Sequence, residues 1–90
     1  MFSDIRVLIV NKDSLKAVVS CKLADAFYLS GMRIVETKRG RILAMPAKRD
    51  SRDEYADIYF PVNRQVKMEL EKLVFEKYEE AISQNQPLPK

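Results

Sequence analysis

Four carboxylates, Asp50, Asp53, Glu54 and Asp57, fall within eight consecutive residues. Paired carboxylates can run acid–base chemistry when their surroundings push the two pKa values apart. These four alternate with Lys48, Arg49 and Arg52 in a hydrophilic stretch, which favours a solvated, charge-balanced turn over a buried dyad. The spacing Asp50-x-x-Asp53-x-x-x-Asp57 also lacks the glycine and closing glutamate of a calcium loop. The chain has no histidine and a single cysteine, Cys21. That removes the usual general base, the Ser–His and Cys–His nucleophile pairs and most zinc sites. Cys21 shares its strand face with Val19 and Leu23, so a packed core thiol is expected; Lys22 points the other way and cannot activate it. Gly31 and Gly40 stand alone, so there is no glycine-rich phosphate loop. No catalytic residue, metal, cofactor or small-molecule substrate is expected.

The basic residues are the better lead. Seven lysines and arginines lie between Arg33 and Arg52, against two acids, Glu36 and Asp50. Two groups stand out. Lys38, Arg39 and Arg41 crown one turn, and Lys48, Arg49 and Arg52 follow the next strand. From residue 62 to 82 the balance reverses, with four basic residues against five glutamates. A basic middle and an acidic C-terminal third offer one face to a polyanion and another to water. Converging lysines and arginines are what phosphate contacts require. The alternative for either group is surface charge that only maintains solubility. No run of exposed aromatics resembles an RNA-recognition sheet. Tyr55 and Tyr59 could stack on bases, but both read as residues edging the core.

These groups must be held by a small scaffold. Ninety residues, 47% apolar and 32% charged, make one domain of ordinary globular composition. Phe2 to Val10 reads as a strand, Asn11-Lys12-Asp13-Ser14 as a turn, and Leu15 to Leu23 as the returning strand. Ala24-Asp25-Ala26 breaks the pattern. Phe27 to Glu36 is apolar but interrupted at Ser30-Gly31, where a bulge or bend is expected. Thr37-Lys38-Arg39-Gly40 is a turn with a late glycine. Arg41 to Met45 is the next strand, ended by Pro46. Ala47 to Tyr55 reads as an exposed loop, and Ala56 to Phe60 as a last short strand. Val66, Leu70, Leu73, Val74, Tyr78, Ala81 and Ile82 recur every three or four residues, which predicts a helix with Asn63 as its N-cap. The expected fold is α+β: an antiparallel meander of about five strands covered by one C-terminal helix. It forms one domain over 1–83, with a flexible tail at 84–90. No signal or membrane segment is evident, which suits a cytoplasmic protein.

The apolar count predicts a homodimer. Phe27, Tyr28 and Leu29 are consecutive, so a strand there sends large apolar groups to both faces. One helix covers only one face of a sheet. The other face, or an open edge, is left for a second copy to cover. The alternative is that 24–31 folds over the second face as a lid.

Several segments also carry a family resemblance: Ala24-Asp25-Ala26-Phe27, Met32-Arg33-Ile34-Val35-Glu36, Ala44-Met45-Pro46-Ala47-Lys48-Arg49, Asp57-Ile58 and Phe60-Pro61-Val62-Asn63. In register from about Ala17 to Ala81, they resemble the stage V sporulation protein G (SpoVG) family of bacteria. The resemblance implies a small cytoplasmic regulator, linked to septation and sporulation, that binds DNA and in some cases RNA as a dimer and has no enzymatic activity. It also implies that the basic pair after the proline, with the arginine beyond it, contacts nucleic acid; Lys48, Arg49 and Arg52 hold those positions. Where the family often has proline and glycine, this chain has Asp50-Ser51-Arg52-Asp53-Glu54. The rival reading is a protein-interaction module that engages division or signalling factors through a sheet edge.

Overall fold

A computed structural model describes residues 1–85. The elements in order are β1 (Phe2–Lys12), β2 (Leu15–Leu23), β3 (Phe27–Thr37), β4 (Gly40–Ala44), β5 (Ala47–Arg49), β6 (Tyr55–Asp57) and α1 (Arg64–Asn85). β1 to β4 form one antiparallel sheet in sequence order, as a meander should. The α+β architecture is the expected one. The strand count differs: β5 and β6 pair with each other in a separate ribbon and do not extend the sheet. Pro46 explains the break. It has no N–H to donate to a ladder, and its fixed φ turns the chain out of the sheet after β4. The segment expected to be a loop, Ala47 to Tyr55, is therefore most of a hairpin, and its strand residues are all exposed.

The core lies between one sheet face and the helix. Ala17, Val19 and Cys21 of β2, Met32 and Ile34 of β3, and Leu43 of β4 meet Leu70, Val74 and Tyr78 of α1. Val66, Leu73, Ala81 and Ile82, at the flanking positions of the helical stripe, are half-buried. Asn63 caps the helix as its side chain suggests: Oδ1 accepts the Val66 amide at 2.8 Å. The helix includes Gln84 and Asn85, the first residues of the expected tail. Positions 86–90 of that tail lie outside the described residues.

Two turns explain the register. Ala26 N–H donates to the Leu23 carbonyl at 2.9 Å, and Ala24 and Asp25 both sit at positive φ (52° and 53°). This is the geometry whose twist matches paired strands. Residues 24–26 are thus a tight turn, and β3 runs unbroken from Phe27 in register with Leu23. The alternative of a lid over the second face does not occur. The bulge expected at Ser30-Gly31 is present as a register shift between Val19 and Cys21.

Gly31 is needed there twice over. Its φ is +88°, and an added Cβ would stand 3.2 Å from the Pro46 Cβ. The bulge and the proline that ends β4 pack directly on each other, so the bend in β3 helps set where the β5–β6 hairpin departs. Gly31→Ala should lower unfolding stability by roughly 1–3 kcal/mol, from strained backbone plus the close contact. Urea unfolding would show this as a lower midpoint at an unchanged slope.

The far sheet face is left open. Leu8, Val10 and Ile42 are exposed on it, with Leu8 66% accessible. Val18, paired with Leu8, and Val35, paired with Ile42, lie between them half-buried. No helix among the described residues is long and apolar enough to cross a membrane.

Candidate nucleic-acid interface

The β5–β6 hairpin holds the second basic group clear of the core. Its register pairs Ala47 with Asp57, Lys48 with Ala56 and Arg49 with Tyr55. Strand alternation sends Lys48 and Arg49 to opposite faces of this narrow ribbon. Arg52 sits at its tip. The three cations therefore surround one projecting arm.

Asp50 builds the tip. Its Oδ1 accepts the Arg52 amide at 2.9 Å and the Glu54 amide at 3.0 Å. Its own amide donates to the Glu54 carbonyl at 2.7 Å, and the Asp53 amide donates to the Asp50 carbonyl at 3.0 Å. Two backbone N–H groups pointing at one carboxylate hold its pKa below the usual range, Glu54 contributing most and Arg52 next. A lowered folded-state pKa means this hold on the tip is complete above the ordinary carboxylate pKa. It is lost only as pH falls through the lowered value. Asp53 follows at a positive φ of 64°. An aspartate-built turn thus closes the hairpin, and the cations keep a defined platform.

The guanidiniums on that platform are already engaged. Arg49 pairs with Asp53 at 3.2 Å, and Arg52 lies 3.5 Å from Asp50 and 3.8 Å from Glu54. Lys48 makes no ion pair among the described residues. From 47 to 57 there are three basic and four acidic residues, so the arm as a whole carries one net negative charge and its cations are balanced locally. Asp50, Asp53 and Glu54 are therefore the counter-ions of the basic group. No group of potential metal ligands occurs among the described residues.

Lys38 and Arg39 form the exposed turn between β3 and β4, held by Thr37, whose hydroxyl donates to the Gly40 carbonyl at 2.8 Å. Gly40 there has the positive φ expected of it, +115°. Arg41 is placed differently. Its guanidinium bonds Glu79 at 2.8 Å and lies 5.2 Å from the centroid of the Tyr78 ring. It ties the edge strand to the helix. The two groups are not brought together: β4 separates them by about 15 Å at ~3.3 Å per residue.

Beside the base of the hairpin is a hollow of about 420 Å³ whose lining includes Arg33, Lys67, Asp57 and Glu71. Lys67 is brought near the arm by helix packing, which no sequence spacing displays.

The tyrosines divide. Tyr59 packs against the core, and its hydroxyl donates to the Ser30 carbonyl at 2.8 Å. Burial first, and the neighbouring Cys21 second, push its pKa up to about 12, so it stays a donor. Tyr55 does not edge the core. It is 70% exposed on the arm, with the Arg49 guanidinium 5.4 Å from its ring centroid. The expectation failed because the strand that carries Tyr55 left the sheet. Cys21 is fully buried as expected, and desolvation raises its pKa, the reverse of what a nucleophile needs.

Comparison with known proteins agrees with the motif resemblance and extends it toward the N-terminus. The SpoVG family model matches residues 1–80. A relative from Lachnospira eligens is 38% identical over 80 residues, covering 88% of this chain and 91% of its own. One from Caldicellulosiruptor saccharolyticus is 34% identical over 82 residues, covering 90% and 93%. One from Staphylococcus carnosus is 35% identical over 79 residues, covering 87% and 74%. All three carry the name "Putative septation protein SpoVG". With the whole meander and most of the helix inside the matched span, this chain belongs to the SpoVG family.

Proposed function

We propose that this chain is a bacterial cytoplasmic regulator that binds DNA, and RNA as well, through the β5–β6 arm, and that it works as a homodimer in the control of septation or gene expression. It acts by binding and not by catalysis. The observation that carries the reading is the arm itself. Lys48, Arg49 and Arg52 stand on a hairpin whose strand residues are all exposed and which is detached from the sheet, an arrangement that packing does not require.

The test is a titration of labelled duplex DNA and RNA at several salt concentrations. Six phosphate contacts, three from each subunit, set a log–log slope of about −5 as the steep limit. Arg49 and Arg52 are internally paired, and their freed carboxylates recapture cations on binding. The two Lys48 contacts alone give a slope of about −2. The measured slope should fall between these values; a slope near zero would end the phosphate model.

A specific observation favours the rival interaction module. β1 and β4 are both open sheet edges, and the face between them bears Leu8 and Ile42. Docking by strand addition is nearly insensitive to salt, so the same titration separates the two. The open face also supports the dimer, since a twofold contact buries one self-complementary apolar patch. Sedimentation equilibrium at micromolar concentration should give twice the 10.5 kDa of one chain. A single-chain mass that does not rise with concentration would refute it.

A further inference from the structure

We infer that Tyr55 is a base-stacking residue, so that the arm grips unpaired bases and prefers single-stranded nucleic acid to a duplex. The inference rests on the nucleic-acid reading above and names the form of polymer that this site takes. Arg49 and Tyr55 are directly opposite in the β5–β6 register, so their side chains share one face of the ribbon. The guanidinium sits 5.4 Å from the ring centroid and covers one side of it. The residue is nevertheless 70% exposed, so the other side of the ring is open. An aromatic that served only as a cross-strand staple would bury its area against its partner, whereas the strand residues of this ribbon are all exposed.

The chemistry fits an unpaired base. Every base has a π-face, and a ring backed by a cation offers a flat, polarised surface for it. The flanking cations supply what the sugar–phosphate chain on either side of a stacked base requires: Arg49 beside the ring, Lys48 across the ribbon and Arg52 at the tip. In a duplex the π-faces are occupied by neighbouring pairs, so the ring gains nothing there, while the phosphate contacts remain available.

The experiment measures fluorescence anisotropy with labelled oligo(dT), oligo(U) and a duplex of the same length, at one salt concentration, for the parent, Tyr55→Ala and Tyr55→Phe. Tyr55→Ala should weaken single-strand binding about 5- to 100-fold, the range found when one stacking aromatic is removed. Duplex binding should change by less than about twofold, since phosphate contacts carry it. Tyr55→Phe should bind as the parent does, because the ring and not the hydroxyl is used. Loss on both oligo(dT) and oligo(U) supports stacking without regard to the sugar or the thymine methyl; loss on one alone supports it and shows that one of those two groups is read as well. Equal weakening on single strand and duplex would overturn the inference, because the ring would then only position Arg49. Unchanged single-strand binding would overturn it as well. A parent that binds none of the three probes refutes the nucleic-acid reading itself, and stacking falls with it.

Discussion

Replacing Lys48 and Arg49 together with alanine should weaken binding to duplex DNA by about two orders of magnitude or more at 0.1 M salt. Deleting one phosphate-binding cation costs close to a decade at that salt, by counterion release. In the proposed dimer the double substitution deletes four. The ion pairs within the arm soften this, because Arg49 gives up Asp53 when it meets a phosphate, whereas Lys48 gives up nothing. The balance over 48–54 then moves from three basic and three acidic residues to one against three, which repels phosphate outright. Stability should move by less than about 0.5 kcal/mol, since both side chains are exposed and neither supplies a hydrogen bond that holds the tip. Thermal unfolding separates a binding defect from a folding defect. A double variant that folds and binds like the parent at matched salt would remove the arm from the interface.

Most of the scaffold was legible in the sequence. The helical stripe from Val66 to Ile82 and its Asn63 cap follow from spacing and a local hydrogen bond, both of which are sequence-local. The two long hairpins follow from alternation and turn residues. Gly31 was legible as an interruption, but its packing on Pro46 joins positions fifteen residues apart, which no local pattern contains. The fate of Ala47 to Asp57 was half-legible. Its polarity announced exposure. Its pairing depends on the Asp50 side chain capturing two amides, and charged loops without such a capture look the same. The candidate site divides on the same principle. The density of Lys48, Arg49 and Arg52 is visible in the string of residues. The engagement of Arg41 by Glu79 spans thirty-eight positions and appears only once the helix lies on the sheet. Tyr55 departs from expectation because a period-2 pattern says which residues share a face, not whether anything covers that face.

Neutralising the arm's own acids should tighten binding. In Asp53→Asn with Glu54→Gln, the side chains keep their shape and lose their charge. Asp53 has a positive φ of 64°, a conformation asparagine adopts as readily as any non-glycine residue, so the turn has no reason to change. Asp50, which builds the tip through its carboxylate, is untouched. The Arg49–Asp53 pair and the Arg52–Glu54 pair disappear, leaving Arg49 free and Arg52 opposed only by Asp50. Exposed pairs of this kind are worth about 0.2–1 kcal/mol each. Two per subunit, four per dimer, no longer have to be broken when phosphate arrives, and the repulsion between those carboxylates and the backbone goes too. A gain of roughly tenfold in affinity at 0.1 M salt is expected, within the range those pair energies allow. The salt dependence should move with it. Fewer freed carboxylates recapture cations, so the log–log slope should steepen toward about −5. The two readouts together are diagnostic. Tighter binding at an unchanged slope would mean that removing the carboxylates relieved a steric or conformational block and left the number of counterions exchanged as before. Unchanged affinity would mean that Arg49 and Arg52 do not meet phosphate even when freed, and that Lys48 with Lys38 and Arg39 makes the contacts they were assigned.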